Sequence, residues 1–88
     1  MTNFLINQEW KKNPSLASGD LAILKFQDGF TYSIKCIVKS VASNNINGHI
    51  EAVFDAQSGG ELVQHAMKNK KISFTTQHVF KVIKRNAP

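Results

Sequence analysis

Three histidines and one cysteine are the side chains of this 88-residue chain best suited to catalysis or metal binding. A metal centre needs ligands at spacings that a local element brings to one point, such as HxH, HxxxH or CxxC. His49, His65 and His78 have no second ligand at any such spacing, and Cys36 stands alone. Cys36 lies in the alternating stretch "YSIKCIVKSV", where a small sulfur side chain reads as core rather than as a nucleophile. There is no GxSxG, no Walker A loop, no dinucleotide fingerprint and no concentration of paired carboxylates. The paired glycines of "SGGE", Ser58–Glu61, could seat an anion on backbone N–H groups if a helix begins there. A flexible loop is the simpler purpose of two adjacent glycines. The expectation is a protein without catalytic residues, metal or cofactor: not an enzyme.

Charge carries more information. The formal net charge is +5, but it is unevenly placed. Up to Glu61, five lysines meet six acids, for a net −1. From Leu62 onward, Lys68, Lys70, Lys71, Lys81, Lys84 and Arg85 meet no acid, for +6. Such an asymmetry is either a solvated basic surface or the footprint of a polyanion, nucleic acid above all. Ten of the eleven cations are lysine, which suits diffuse attraction to phosphate better than bidentate base readout by arginine.

The length allows one domain with a single modest core. No apolar run is long enough to span a membrane, so no membrane partner is expected. The start, "MTNFLINQEWKK", lacks the basic, apolar and small-residue regions of a secretory signal. A single cysteine excludes an internal disulfide and fits a reducing cytoplasm.

The elements that must position these side chains read mainly as strands. Residues 4–12 form a helical turn with Phe4, Leu5, Ile6 and Trp10 as its apolar contribution, stopped at Asn13-Pro14. Residues 1–18 thus make an N-terminal extension that packs on a domain spanning 19–88. A strand over about 20–27, a DG turn at Asp28-Gly29 and a long strand over about 30–42 follow. A three-residue loop with Gly29 left-handed places Phe26 opposite Phe30 and Leu24 opposite Tyr32. Ala22, Leu24, Phe26, Phe30, Tyr32, Ile34 and Cys36 then share one face, whereas a two-residue turn would oppose Ile23 to Ile34. Alternation breaks near Ile37-Val38, which predicts a bulge. Asn47-Gly48 is the turn into a third strand at about 49–55. In Ser58–Lys71 the capping-box pair Ser58 and Glu61, with Leu62, Val63, Ala66 and Met67, predicts a short helix. "KISFTT" and "HVFKVIKR" read as the last two strands.

Bent strands, two Gly-containing turns and a short final strand resemble an SH3-like small β-barrel with five antiparallel strands. Gly19 to Asp55 in particular resembles the first half of Tudor-type domains: a Gly19-Asp20 opening, Phe26 closing the first strand, Asp28-Gly29, Tyr32 in the second and Phe54 in the third. That resemblance implies an aromatic ligand face of Phe26, Tyr32 and Phe54, caging methylated Lys or Arg through cation–π attraction. The residues by themselves read as core. Beyond Asp55 the chain departs from the family, carrying "AQSGGE" where another aromatic, Gly and Asn would stand. A second likeness is to the Sm-like fold: "KFQDGFTYS" looks like its first motif, with Ser33 at the usual Gly, Ala42 at the usual Asp and Asn45 at its RNA-contacting Asn.

The functional expectation is therefore a non-catalytic small-barrel binding module that takes nucleic acid, or another polyanion, on a basic C-terminal surface. The alternative is a protein-interaction or self-associating barrel that uses its aromatic face or an exposed strand edge.

Overall fold

The computed structural model describes residues 3–7, 15–43 and 45–84. Its elements are β1 (Asn3–Phe4), β2 (Leu21–Asp28), β3 (Phe30–Ala42), β4 (Asn45–Asp55), β5 (Lys71–Phe74), a 3-10 turn at Thr76–His78, and β6 (Val79–Ile83). Every pairing is antiparallel, and the strands form one sheet in the order β6–β2–β3–β4–β5. β1 adds to β2 at Phe26 and Gln27, beyond the reach of β6. Among the described residues β5 and β6 are not paired, so hydrogen bonding does not close the sheet. The chain is mainly β among the described residues, with almost no helix.

Alternation explains which side of the sheet became the core. Ala22, Leu24 and Phe26 of β2 and Ile34, Cys36 and Val38 of β3 are buried, and so meet Ile46, Ile50, Val53, Phe74 and Val79. Each fully buried aliphatic side chain contributes roughly 1.5–3 kcal/mol by leaving water. Leu16, Leu62 and Ile72 pack against this cluster from its margins.

The DG hairpin is tighter than the sequence suggests. Pairing runs to Asp28 opposite Phe30, leaving Gly29 alone at the tip with φ +74°. Phe26 therefore faces Tyr32, not Phe30, and Leu24 faces Ile34. The shift is two residues, so the expected faces survive while the partners change. Phe30 pays no part in the core: it sits at the tip, 72% exposed. The register shifts where β3 loses alternation, with Lys39 the extra residue between Val38 and Ser40, and again with Glu51 extra between Ile50 and Ala52.

Asn47-Gly48 is not a turn. The β3–β4 hairpin closes between Ala42 and Asn45, with Ser43 left-handed at φ +57°. Gly48 lies inside β4 opposite Val38, where a Cβ would collide with Cys36 Sγ and stand 2.9 Å from Ile37 O. Close approach, rather than positive φ, is what requires glycine here.

The expected helix between the third and fourth long strands is also absent. Glu61 bridges to Phe54, and Leu62 N–H donates to Val53 O at 2.7 Å, so the would-be helix start is held against β4. Residues 62–70 then proceed by single turns, with His65 N–H to Leu62 O, Lys68 N–H to His65 O and Lys70 N–H to Met67 O. Leu62 and Met67 pack on the core while Val63 is exposed, which splits the predicted apolar face. The N-terminal helical turn fails where it is described. Residues 4–7 are extended: Phe4 pairs with Phe26, Leu5 N–H donates to Lys25 O, and Asn7 N–H to Gln77 O. Trp10 and the rest of that predicted turn lie outside the described residues. Among the described residues no helix is long and apolar enough to cross a membrane.

Candidate nucleic-acid interface

The strands that send apolar groups inward leave their alternate positions on the outer face, and those positions carry lysine. Ile23 of β2 is flanked in register by Lys35 of β3 and Lys81 of β6. The cation pair is therefore separated by two strand spacings, about 10 Å. One row further along, Lys25 pairs with Ser33, which in turn pairs with Phe54. Lys25 Nζ stands 4.9 Å from the centre of the Phe80 ring, a cation–π contact that fixes a long side chain on the surface.

Towards the other end of the sheet the same face forms a groove of about 550 Å³. Lys39, Asn47, His49, Lys71, Ile72 and Ser73 line it. Two cross-strand rows build it: Ile37–His49–Lys71, and Ser40–Asn47–Ser73. The second row is tied by side chains. Ser73 Oγ donates to Asn47 Oδ1 at 2.6 Å, and Asn47 Nδ2 donates to Ser40 Oγ at 3.3 Å. Lys39 reaches this groove because it is the extra residue of the β3 bulge.

The six C-terminal cations are divided by the fold. Lys71 lines the groove, and Lys68 and Lys70 lie in the turn that leads into it. Lys81 belongs to β6, at the opposite end of the pairing order. Lys84 is tied down from the surface: its Nζ donates to Asp20 Oδ2 at 2.8 Å and to Ser15 O at 2.9 Å. Asp20 is wholly buried and also accepts from Ala17 N–H, so this lysine anchors the segment before β2. Arg85 lies outside the described residues.

The aromatic face also separates. Phe26 and Tyr32 stack with ring centres 4.9 Å apart, and His65 approaches Tyr32 at 5.0 Å and Phe26 at 6.1 Å. Phe54 pairs with Ser33, the neighbour of Tyr32, and so takes the alternate face. His65, not Phe54, completes the aromatic cluster. Its Nδ1 accepts from Met67 N–H at 3.1 Å, which holds the ring. Phe26 is part of the core.

Cys36 is buried, and desolvation pushes its thiol up to about 12, opposed weakly by a hydrogen bond from the backbone of His49. A protonated thiol facing the core is inert. Among the described residues no three of His, Cys, Asp and Glu come together as metal ligands would.

Sequence reasoning missed Lys25, Lys35, Lys39 and the Ser40–Asn47–Ser73 row. Strand parity could have found part of this set, because Lys25, Lys35 and Ile23 occupy the positions that alternate with the core residues. No protein-family model matches the chain, and comparisons with curated proteins and with solved structures give no match.

Proposed function

We propose that this chain is a non-catalytic binding module of SH3-like small-barrel architecture, and that its ligand is single-stranded nucleic acid lying across the outer face of the sheet. The observation that carries the reading is that Lys25, Lys35, Lys39, Lys71 and Lys81 all stand at outward positions of one sheet, Lys35 and Lys81 in one cross-strand row and Lys39 and Lys71 on one groove. Lysines with Phe54, Phe80 and His49 between them supply the two things a strand of nucleic acid needs, cations for phosphate and flat groups for bases. The barrel reading is supported by the strand order, in which a three-residue 3-10 turn joins the two strands at its ends, β5 and β6. The bulge of β3 at Lys39 supports it too, since a bulge bends a strand and a small barrel needs such bends to close. A single buried, free thiol suits work in a reducing cytoplasm.

The test is the salt dependence of binding to labelled single-stranded oligonucleotides. If about four lysines contact phosphate, log K falls against log salt with a slope near −3. Changing Lys35, Lys39 and Lys71 together to Gln weakens binding to all sequences and flattens that slope. No binding at low salt refutes the reading. A protein-interaction module then takes its place, for which Phe30 is the specific observation. It is exposed at the hairpin tip beside a groove lined by Asp55, Ala56 and Gln57, and Phe30→Ser would abolish that contact.

A further inference from the structure

The groove between Lys39 and Lys71 has features that general attraction to phosphate does not need. Asn47 stands in it with both ends of its amide engaged, Oδ1 by Ser73 Oγ and Nδ2 by Ser40 Oγ. Those serines occupy the strands on either side, in register with Asn47, so the sheet itself sets the plane of the amide. An amide has two N–H donors and two acceptor lone pairs. Ser40 takes one donor and Ser73 one lone pair, which leaves one N–H and one lone pair side by side. That is the pattern that meets the N6–H and N7 of adenine in a two-bond contact. Because the amide is already held, little rotational freedom is lost when the contact forms.

The surroundings fit a nucleotide. A volume of about 550 Å³ lies within the range of small-ligand sites. Lys39 and Lys71 supply cations for the flanking phosphates, and His49, paired with Lys71, offers a flat ring beside the amide. We propose that this groove holds one nucleotide of the bound strand and that Asn47 reads its base, favouring adenine. The proposal rests on the nucleic-acid reading above and adds a base preference to it.

The experiment measures fluorescence anisotropy of the full chain with labelled ten-nucleotide oligomers of A, U and C at one low salt concentration. The A oligomer is expected to bind about tenfold more tightly than the C oligomer, the scale of one good two-bond base contact. Asn47→Ala removes that preference but leaves the salt slope unchanged. Ser73→Ala, which keeps the amide and frees it to turn, reduces the preference several-fold. Variant folding is checked by thermal melting. A measurement on the unaltered chain stands beside it: the Asn47 side-chain amide signals shift in a nuclear magnetic resonance titration with the A oligomer and not with the C oligomer. Equal affinity for all three oligomers, or an unmoved Asn47 signal, overturns the base-reading role and leaves phosphate binding intact. Absence of binding to any oligomer overturns both.

Discussion

Replacing Lys84 by Gln should lower stability and leave nucleic-acid affinity almost untouched, although Lys84 belongs to the most basic segment of the sequence. The carboxylate of Asp20 has no exposed surface, and its Oδ2 is shared between Ala17 N–H at 3.0 Å and Lys84 Nζ at 2.8 Å. Removing the partner of a fully buried charge costs roughly 3–5 kcal/mol, whereas breaking a fully exposed pair costs about 0–1. Here the carboxylate is buried but the Lys84 side chain is 56% exposed, so water can enter the vacated place. The expected loss lies between those limits, about 2 kcal/mol, equivalent to a fall of roughly 10 °C in Tm for a domain of this size. Asp20→Asn keeps the shape and an acceptor for Ala17 N–H while removing the charge. The double variant should therefore be little worse than Asp20→Asn alone, with a coupling near 1–2 kcal/mol in urea unfolding. Oligonucleotide affinity is read in parallel. An unchanged Tm for Lys84→Gln, with affinity falling as far as it does for Lys71→Gln, would refute the anchoring role and return Lys84 to the binding surface.

Gly48→Ala should destabilise by about 1–3 kcal/mol, since the new methyl meets Cys36 Sγ and the fixed backbone oxygen of Ile37 at 2.9 Å. A neutral or raised Tm would show that the β3–β4 pairing relaxes freely. Cys36 should resist thiol reagents in the native state and react fully in urea, as a buried thiol pushed up to about 12 must. Cys36→Ser should cost roughly 1–3 kcal/mol by burying a hydroxyl; rapid native labelling would contradict the packing. His78 is held below its usual value by burial, while its Nδ1 accepts from Thr75 N–H and its ring meets Phe4 at 5.6 Å. The unfolded chain then binds its proton more readily than the folded one. That contribution to stability is complete above about pH 6.5, the unfolded value, and is lost as pH falls towards the lower folded value. Melting curves from pH 8 to pH 5 should show the decline, and His78→Gln should make it shallower; an identical slope in the variant would remove His78 from the account.

What the sequence revealed and what it hid follow from one property of strands. A register error of two residues leaves every side chain on its own face, which is why the β2–β3 core was legible although Phe26 was matched with the wrong partner. Asn47-Gly48 misled for the opposite reason: a glycine kept for close packing and a glycine kept for positive φ look identical in sequence. The helix over 58–71 had capping chemistry and an apolar spacing, but local preference lost to the sheet once Leu62 N–H found Val53 O. Charge is distributed by the same property. Counting along the chain groups Lys81 with Lys84 because they are near neighbours in sequence, but one is on β6 beside Ile23 and the other is bound to Asp20. Lys25, Lys35 and Lys39 were hidden because the acids of the first sixty-one residues cancel them in a sum. Two of those acids have partners away from the lysines of the outer face: Asp20 is buried and paired with Lys84, and Asp55 accepts the N–H of Gln57 in a turn. A binding surface is made by strand parity, which sorts alternate residues to opposite faces, and a net charge taken over a segment averages that sorting away. Three of the five lysines assigned to the proposed ligand, Lys25, Lys35 and Lys39, therefore come from the stretch whose net charge is −1.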